Sequence, residues 1–258
     1  AHIIDRRALV AKTAQTVDAE TAVANSNIVS QGQPGYSGPP AWRMHDTTST
    51  TSTTTTSPGT KPTGVELARQ LLRRSGWHRS DGRWFGRDGR PVSLRIAAAA
   101  DDSWALSSRL NIGRQLEQEG ISVVPSTFGD AAQVAAALRD GRAALGVFSR
   151  PTDPFAAHAA AWFSTPSGGP ASVLWTGFRD RETDRLAQAA SVVMNPMAAQ
   201  PTYNQMNRRL WALMPSLPLF VEPLVTAWSG RLLGVVPDPY PPGTLSAAVS
   251  WSLATVSR

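Results

Sequence analysis

Two Asp-Gly pairs, Asp81-Gly82 and Asp88-Gly89, stand seven residues apart, and a regular alternation of strand and helix patterns follows them. No other feature limits the folds open to this chain so sharply. Asp-Gly favours type I′ hairpin turns, because both central residues of such a turn need positive φ. The pairs therefore predict a three-stranded meander over Trp77–Ser80, Arg83–Gly86 and Val92–Ala97. Val92–Ala98 then reads as the first strand of a longer series. A helix is expected over Ser103–Glu119, with Leu106, Leu110, Gly113 and Leu116 on one face and Gly120 as its stop. A strand follows over Ile121–Thr127, then a helix capped by Asp130, carrying Val134 and Leu138 and stopped by Gly141. Ala143–Phe148 reads as a third strand. A β-α-β-α-β run with short connections argues for a parallel sheet with right-handed crossovers, hence an α/β fold.

The flanks are less regular. The chain opens on Ala1-His-Ile-Ile-Asp5-Arg-Arg-Ala-Leu-Val10, which reads as a helix already under way and suggests a piece of a longer protein. Residues 31–43 have loop chemistry. Thr47 to Ser57 is an unbroken run of Ser and Thr, with no apolar face to offset the entropy of ordering it. A disordered linker is expected over 46–62, serving as a bare spacer or, in an exported protein, carrying O-linked sugar. Thr63-Gly-Val-Glu66 is a capping-box pattern opening a helix with Val65, Ala68, Leu71 and Leu72 inward and Gly76 at its end. Later helices are expected over Phe155–Phe163, Arg179–Val193 (Leu186, Ala190 and Val193 inward) and Thr202–Met214 (Met206, Leu210, Leu213 and Met214). Leu217–Val221 and Leu224–Trp228 read as strands.

Little catalytic chemistry is available. The absence of cysteine excludes disulfides and thiolate catalysis, and His2, His45, His78 and His158 show no metal-ligand spacing. There is no nucleophile elbow, Walker loop or dinucleotide fingerprint, so no catalytic residue, metal or cofactor is expected. Asp101-Asp102 follows a strand, where α/β sites lie, but also opens a helix, where Asp caps the backbone. The net charge of +6 comes almost wholly from arginine, since only Lys12 and Lys61 are lysine. These arginines are scattered, which reads as a solvated surface rather than a nucleic-acid face. No apolar run approaches the roughly 18 residues of a membrane-spanning helix. The tryptophans, Trp84, Trp104, Trp162, Trp175 and Trp228 among them, fall near predicted element ends, as core bulk or as ligand-facing surface.

The order of these pieces resembles the C-terminal half of family 5 extracellular solute-binding proteins, the oligopeptide and dipeptide binders of ABC importers. The residues that carry the likeness are Leu71-Leu72, Gly76-Trp77, Asp81-Gly82 and Asp88-Gly89-Arg90-Pro91 leading into Val92–Ile96. Gly120-Ile121-Ser-Val123, Asp184-Arg-Leu-Ala and Leu210 to Pro215-Ser-Leu-Pro218-Leu219 continue it, as does the opening Ile-Asp-Arg. The resemblance implies a type II periplasmic-binding-protein-like lobe with a β-α-β-α-β core and a small Asp-Gly hairpin meander. By it, 1–45 would come from the preceding lobe or the lobe junction, 63–236 would form the α/β lobe, and 237–258 would return toward the first lobe. It also implies a non-catalytic extracytoplasmic receptor that closes on a ligand and signals to a membrane protein.

One departure bears on the ligand. Peptide-binding members carry Gly-Trp-x-x-Asp, whose Trp packs on the ligand and whose Asp holds its α-amine. Here the run is Gly146-Val147-Phe148-Ser149-Arg150, followed by Asp153-Pro154. A guanidinium cannot accept from an ammonium and repels it, so an anionic head group is expected unless Arg150 merely pairs with Asp153. Arg150, Asp153, Phe148, Trp104 and Asp101 are the candidate ligand-binding residues. The Ser/Thr-Pro-rich insertion and the altered peptide site are also similar to LpqW-type lipoproteins of mycobacteria. That likeness implies a membrane-anchored lipoprotein steering mannosylated glycolipid and lipoarabinomannan synthesis. The expected ligands are thus a small molecule, a peptide or an anionic glycolipid, and the expected partner an ABC permease or an envelope glycosyltransferase. A carbohydrate-active hydrolase using Asp101, Asp102 or Asp153 is the alternative.

Overall fold

The computed structural model describes residues 1–17, 22–30, 33, 36, 64–150, 156–164, 177–222, 226–238 and 243–254. The Ser/Thr linker, Thr63, Asp153 and Trp175 lie outside the described residues. Asp5 Oδ1 accepts from the Ala8 amide at 3.0 Å and starts α1 (Arg6–Val17). The opening residues therefore lead into this helix and are not its interior. The next helix, α2 (Gly64–Arg74), ends at Gly76 and hands the chain to a hairpin of β1 (His78–Ser80) and β2 (Arg83–Phe85).

Asp81 and Gly82 both have positive φ (47° and 77°), as a type I′ turn requires. The second Asp-Gly differs: only Gly89 has positive φ, and the Gly86 amide donates to Arg90 O at 2.8 Å. This is a wider, three-residue loop. The meander is accordingly two-stranded. Its expected third strand touches β2 only through a Phe85–Pro91 bridge and belongs instead to the parallel sheet.

That sheet has the order β4-β3-β5, formed by β3 (Ser93–Ala99), β4 (Ser122–Phe128) and β5 (Leu145–Val147). All its pairings are parallel, as the alternation predicts. Pro125 sits in register with Ile96. It is tolerated because β4 is an edge strand and needs no second ladder. Central β3 splits its side chains by strand periodicity. Ile96 packs with Leu9, Trp84, Ile112, Leu116 and Ile121, under α1 and under α3 (Ser103–Gln118). Ala97 and Ala99 pack with Val134, Ala137 and Ala143 under α4 (Ala131–Arg139). Helices thus cover both faces. The buried face of α3 runs through Ala105, Ser108, Arg109, Ile112, Gly113 and Leu116. It is rotated from the expected one, leaving Leu110 exposed. Arg109 is buried because it donates to Ser126 O and to Thr127 Oγ1, tying α3 to β4.

A second core is helical. Short α5 (Ala156–Ala161), α6 (Arg181–Ser191) and α7 (Pro196–Leu213) enclose Phe163, Leu186, Ala190, Tyr203, Met206 and Leu210 with Ile28 and Val29. Helix α7 begins six residues before the expected Thr202, with Pro196 in its first turn and Pro201 kept inside. Residues 217–221 form no strand but one antiparallel bridge, Phe220–Val23, and 226–228 lie outside any strand. The chain closes with β6 (Leu232–Leu233), a 3₁₀ turn (Gly243–Ser250) and β7 (Ser252–Leu253), which pairs with β6.

Asp180 locks α6 to α7. It caps α6 through the Thr183 amide at 2.8 Å and receives both Nε and Nη2 of Arg209. The Arg209 hydrogen bonds above all hold its carboxyl well below the usual carboxylate range. A depressed pKa adds stability that is present above the unfolded value, near pH 4, and is lost as pH falls through the folded value. Asp180→Asn should therefore cost about 1 kcal/mol at neutral pH, after allowance for the partly exposed Arg209. The gap to the native chain should narrow as pH falls from 7 to 3, because the unfolded carboxylate protonates there while the folded one stays ionised, as urea melts at the two pH values would show.

Candidate functional site

Parallel sheets place functional groups beyond the carboxyl ends of their strands. Here that edge is built by β3, by β5 and by a ribbon of two connecting segments. After β3 comes Asp102, the N-cap of α3, whose Oδ1 accepts from the Ala105 amide at 2.8 Å. Its Oδ2 accepts from the Ser149 amide, also at 2.8 Å, just past the end of β5. One carboxylate thus caps the helix and pins the neighbouring strand end. Asp101 beside it is exposed.

Ser149 Oγ donates to Glu222, at the end of the segment that crosses the sheet edge. That segment pairs with 22–24: the Ala24 amide donates to Leu219 O at 3.2 Å and the Val221 amide to Ala22 O at 2.9 Å. Arg6 ties the ribbon together, its Nη1 donating to Ala24 O and Pro218 O. Phe220 meets Trp104 edge to face, with ring centres 6.4 Å apart. On the other side of β5, Arg150 Nη2 donates to Asn27 O at 3.0 Å, and its Cζ lies 6.0 Å from the Phe163 ring centre. Phe148, the first residue after β5, is half-buried.

Of the expected residues, the edge therefore gathers Arg150, Phe148, Trp104 and Asp101, while Asp153 lies outside the described residues. Both oxygens of Asp102 are engaged by backbone amides, the helix-capping role. Ser149, Glu222, Asn27 and Phe220 were not anticipated. The available signal was Glu222 itself: a carboxylate closing the apolar run Leu217–Val221, in a chain poor in glutamate. A second groove, lined by Ser93, Arg95, Val124, Gly141, Arg142 and Ala144, lies at the starting end of the strands. Its Arg142 is already spent on Asp140 and on the Phe128 ring.

Burial raises the Glu222 pKa, helped by the charge of Asp102 and opposed by the Ser149 hydrogen bond. A raised pKa gives stability that is complete below the unfolded value, near pH 4.3, and lost as pH rises through the folded one. Glu222→Gln keeps an acceptor for Ser149. It should remove that pH dependence and leave the variant at least as stable as the native chain at pH 7. A thermal-melt series from pH 4 to pH 8 checks this, and a variant clearly weaker at pH 7 would contradict it.

No family model and no curated protein matches the sequence. Solved structures match its fold over nearly its whole length. A periplasmic EDTA-binding protein, EppA, aligns at a TM-score of 0.71 and 18% identity, over 99% of this chain and 44% of its own. The oligopeptide-binding protein AppA from Bacillus subtilis, solved with a nonapeptide, aligns at 0.65 and 18%, over 98% and 46%. NikA from Brucella suis, solved with Fe(III)-EDTA, aligns at 0.59 and 20%, over 85% and 40%. The chain therefore shares the type II periplasmic-binding-protein fold, as the resemblance implies, and spans less than half the length of the proteins it matches. Two of these neighbours are named as binding proteins, and the third was solved with a bound Fe(III)-EDTA.

Proposed function

We propose that this chain is the C-terminal part of an extracytoplasmic solute-binding protein of family 5, the receptor type of ABC importers. One observation carries the reading. The carboxyl edge of the parallel sheet joins segments far apart in sequence, 22–27, 101–104, 149–150 and 220–222, through Asp102, Ser149, Glu222 and Arg150. Such an edge is where an open α/β sheet takes a ligand, and the paired 22–24 and 219–221 segments suit a connection between two lobes. The fold shared with EDTA-, peptide- and Fe(III)-EDTA-binding proteins supports it. So does the engagement of Asp102, which leaves the alternative hydrolase no free carboxylate at that position.

In the same reading, 1–45 belongs to the preceding lobe or the lobe junction, 63–236 to the second lobe and 237–258 to a return toward the first. Leu245, Val249 and Leu253, 60%, 100% and 72% exposed, support such a return, because apolar side chains grouped at a surface mark a contact. The ligand would be a small molecule, a peptide or an anionic glycolipid. The partner would be an ABC permease or, in an LpqW-type lipoprotein anchored to the membrane, an envelope glycosyltransferase of the mannosylated-glycolipid pathway. Thermal shift of the completed polypeptide separates the versions. Stabilisation by phosphatidylinositol mannosides favours the lipoprotein version, and a large response to ordinary dipeptides favours the importer. No response to either would count against a receptor.

A further inference from the structure

The geometry points to Arg150 as the anchor for an anionic oxygen group of the solute, a carboxylate or a phosphate, on the Asn27 side of the sheet edge. The assignment rests on the solute-binding reading and adds the charge class of the ligand. Arg150 is half-buried directly after β5, and its two contacts, Asn27 O and the Phe163 ring, carry no negative charge. Burial holds its pKa below the ordinary arginine value. Among the described residues no carboxylate pairs with it. Described acids of the sheet edge and helical core are committed elsewhere: Asp102 to the Ala105 and Ser149 amides, Glu222 to Ser149 Oγ, Asp180 to Arg209; Asp153 lies outside the described residues.

A guanidinium carries five N–H donors in a planar fork. Only one of these is spent on a described residue. A cation drawn out of water without a counter-charge is unfavourable, so an arriving anion relieves the site as well as binding to it. The fork matches carboxylate and phosphate oxygens in pairs. The residue that receives Arg150 is itself short of an acceptor, since Asn27 is buried and its Nδ2 has no partner. Arg150 thus keeps unspent donors beside a residue whose own side-chain amide is unpaired. An ammonium finds no acceptor on Arg150. The carboxylates of Asp102 and Glu222 are turned to Ser149, so positive charge faces the Asn27 and Phe163 side.

The test uses the full 258-residue chain at constant ionic strength, with inorganic phosphate and succinate as probes, read on the arginine Nε–Hε resonances by NMR. One guanidinium resonance should shift saturably at millimolar probe, and the stronger of the two probes tells phosphate from carboxylate. Arg150→Met should weaken binding by about tenfold or more, equivalent to about 1.4 kcal/mol. Arg150→Lys, which keeps the charge, should retain part of the affinity and guards against a folding defect in the first variant. A shift that never saturates, or one unchanged in Arg150→Met, overturns the assignment. If both probes fail here while the completed protein is stabilised by an uncharged or cationic solute, the anion assignment falls and the receptor reading stands.

Discussion

Gly120→Ala should be the most damaging single-methyl change in this chain, lowering the melting temperature by on the order of 10 °C. Gly120 closes α3 in a Schellman motif: its amide donates to Glu117 O at 2.9 Å and the Ile121 amide donates to Leu116 O at 3.0 Å. Its φ of 85° lies in the left-handed region, where a Cβ costs roughly 1–2 kcal/mol. The larger effect is steric. A Cβ there would stand 1.9 Å from the carbonyl oxygen of Gly82 and 3.2 Å from Arg83 Cα. Those atoms are backbone, so the hairpin itself has to move off the helix end, adding about 1–3 kcal/mol of overpacking. Gly82→Ala is the matched control. It shares the positive φ but meets nothing within 4 Å, so it should cost only about 1 kcal/mol. Equal losses for the two variants would remove the steric argument.

Trp84→Ala should cost about 3–5 kcal/mol in urea unfolding. Trp84 is 1% exposed, and its Nε1 donates to Glu119 O at 2.9 Å. Its backbone amide donates to Gly120 O at 3.0 Å, and its carbonyl accepts from Val92 at 2.8 Å. The side chain fills the space shared by Leu9, Ile96, Ile112, Leu116 and Ile121, so truncation leaves a cavity among residues of α1, β3 and α3. Trp84→Phe keeps most of the volume but strands the Glu119 carbonyl, and should cost about 1–3 kcal/mol. Trp84 and Gly120 act on the same joint between hairpin and helix, so the double variant should lose less than the two single losses added together.

The parallel sheet was legible because its signals are local. Gly120 and Gly141 stop helices, Asp102 and Asp130 start them, and the apolar runs between have strand length. Where tertiary packing decides, local pattern failed. The α3 face turned toward Ala105, Ile112 and Leu116 because small residues admit the helix close to the sheet and Arg109 finds oxygen partners at β4. Pro201 reads as a helix breaker, yet α7 runs through it because Ala199, Tyr203 and Met206 are buried in the helical core. The second Asp-Gly took a wider loop because β3 pairs with β4 and β5 instead of extending the hairpin. At the site, Arg150 and Phe148 were expected from the departure from the peptide-binding run and Trp104 from its place near an element end. Ser149, Glu222 and Asn27 were not, because their meeting spans separations from 73 to 123 residues.

In the proposed receptor, the carboxyl edge of this sheet faces the rest of a larger binding protein. Hydrogen exchange followed by mass spectrometry, comparing this chain with the complete polypeptide, tests it most directly. Added protection is expected in the complete protein over 22–27, 147–150, 219–222 and 245–253, with the Arg95–Arg142 groove unchanged. Unchanged exchange along that edge, or added protection at the groove instead, would contradict it.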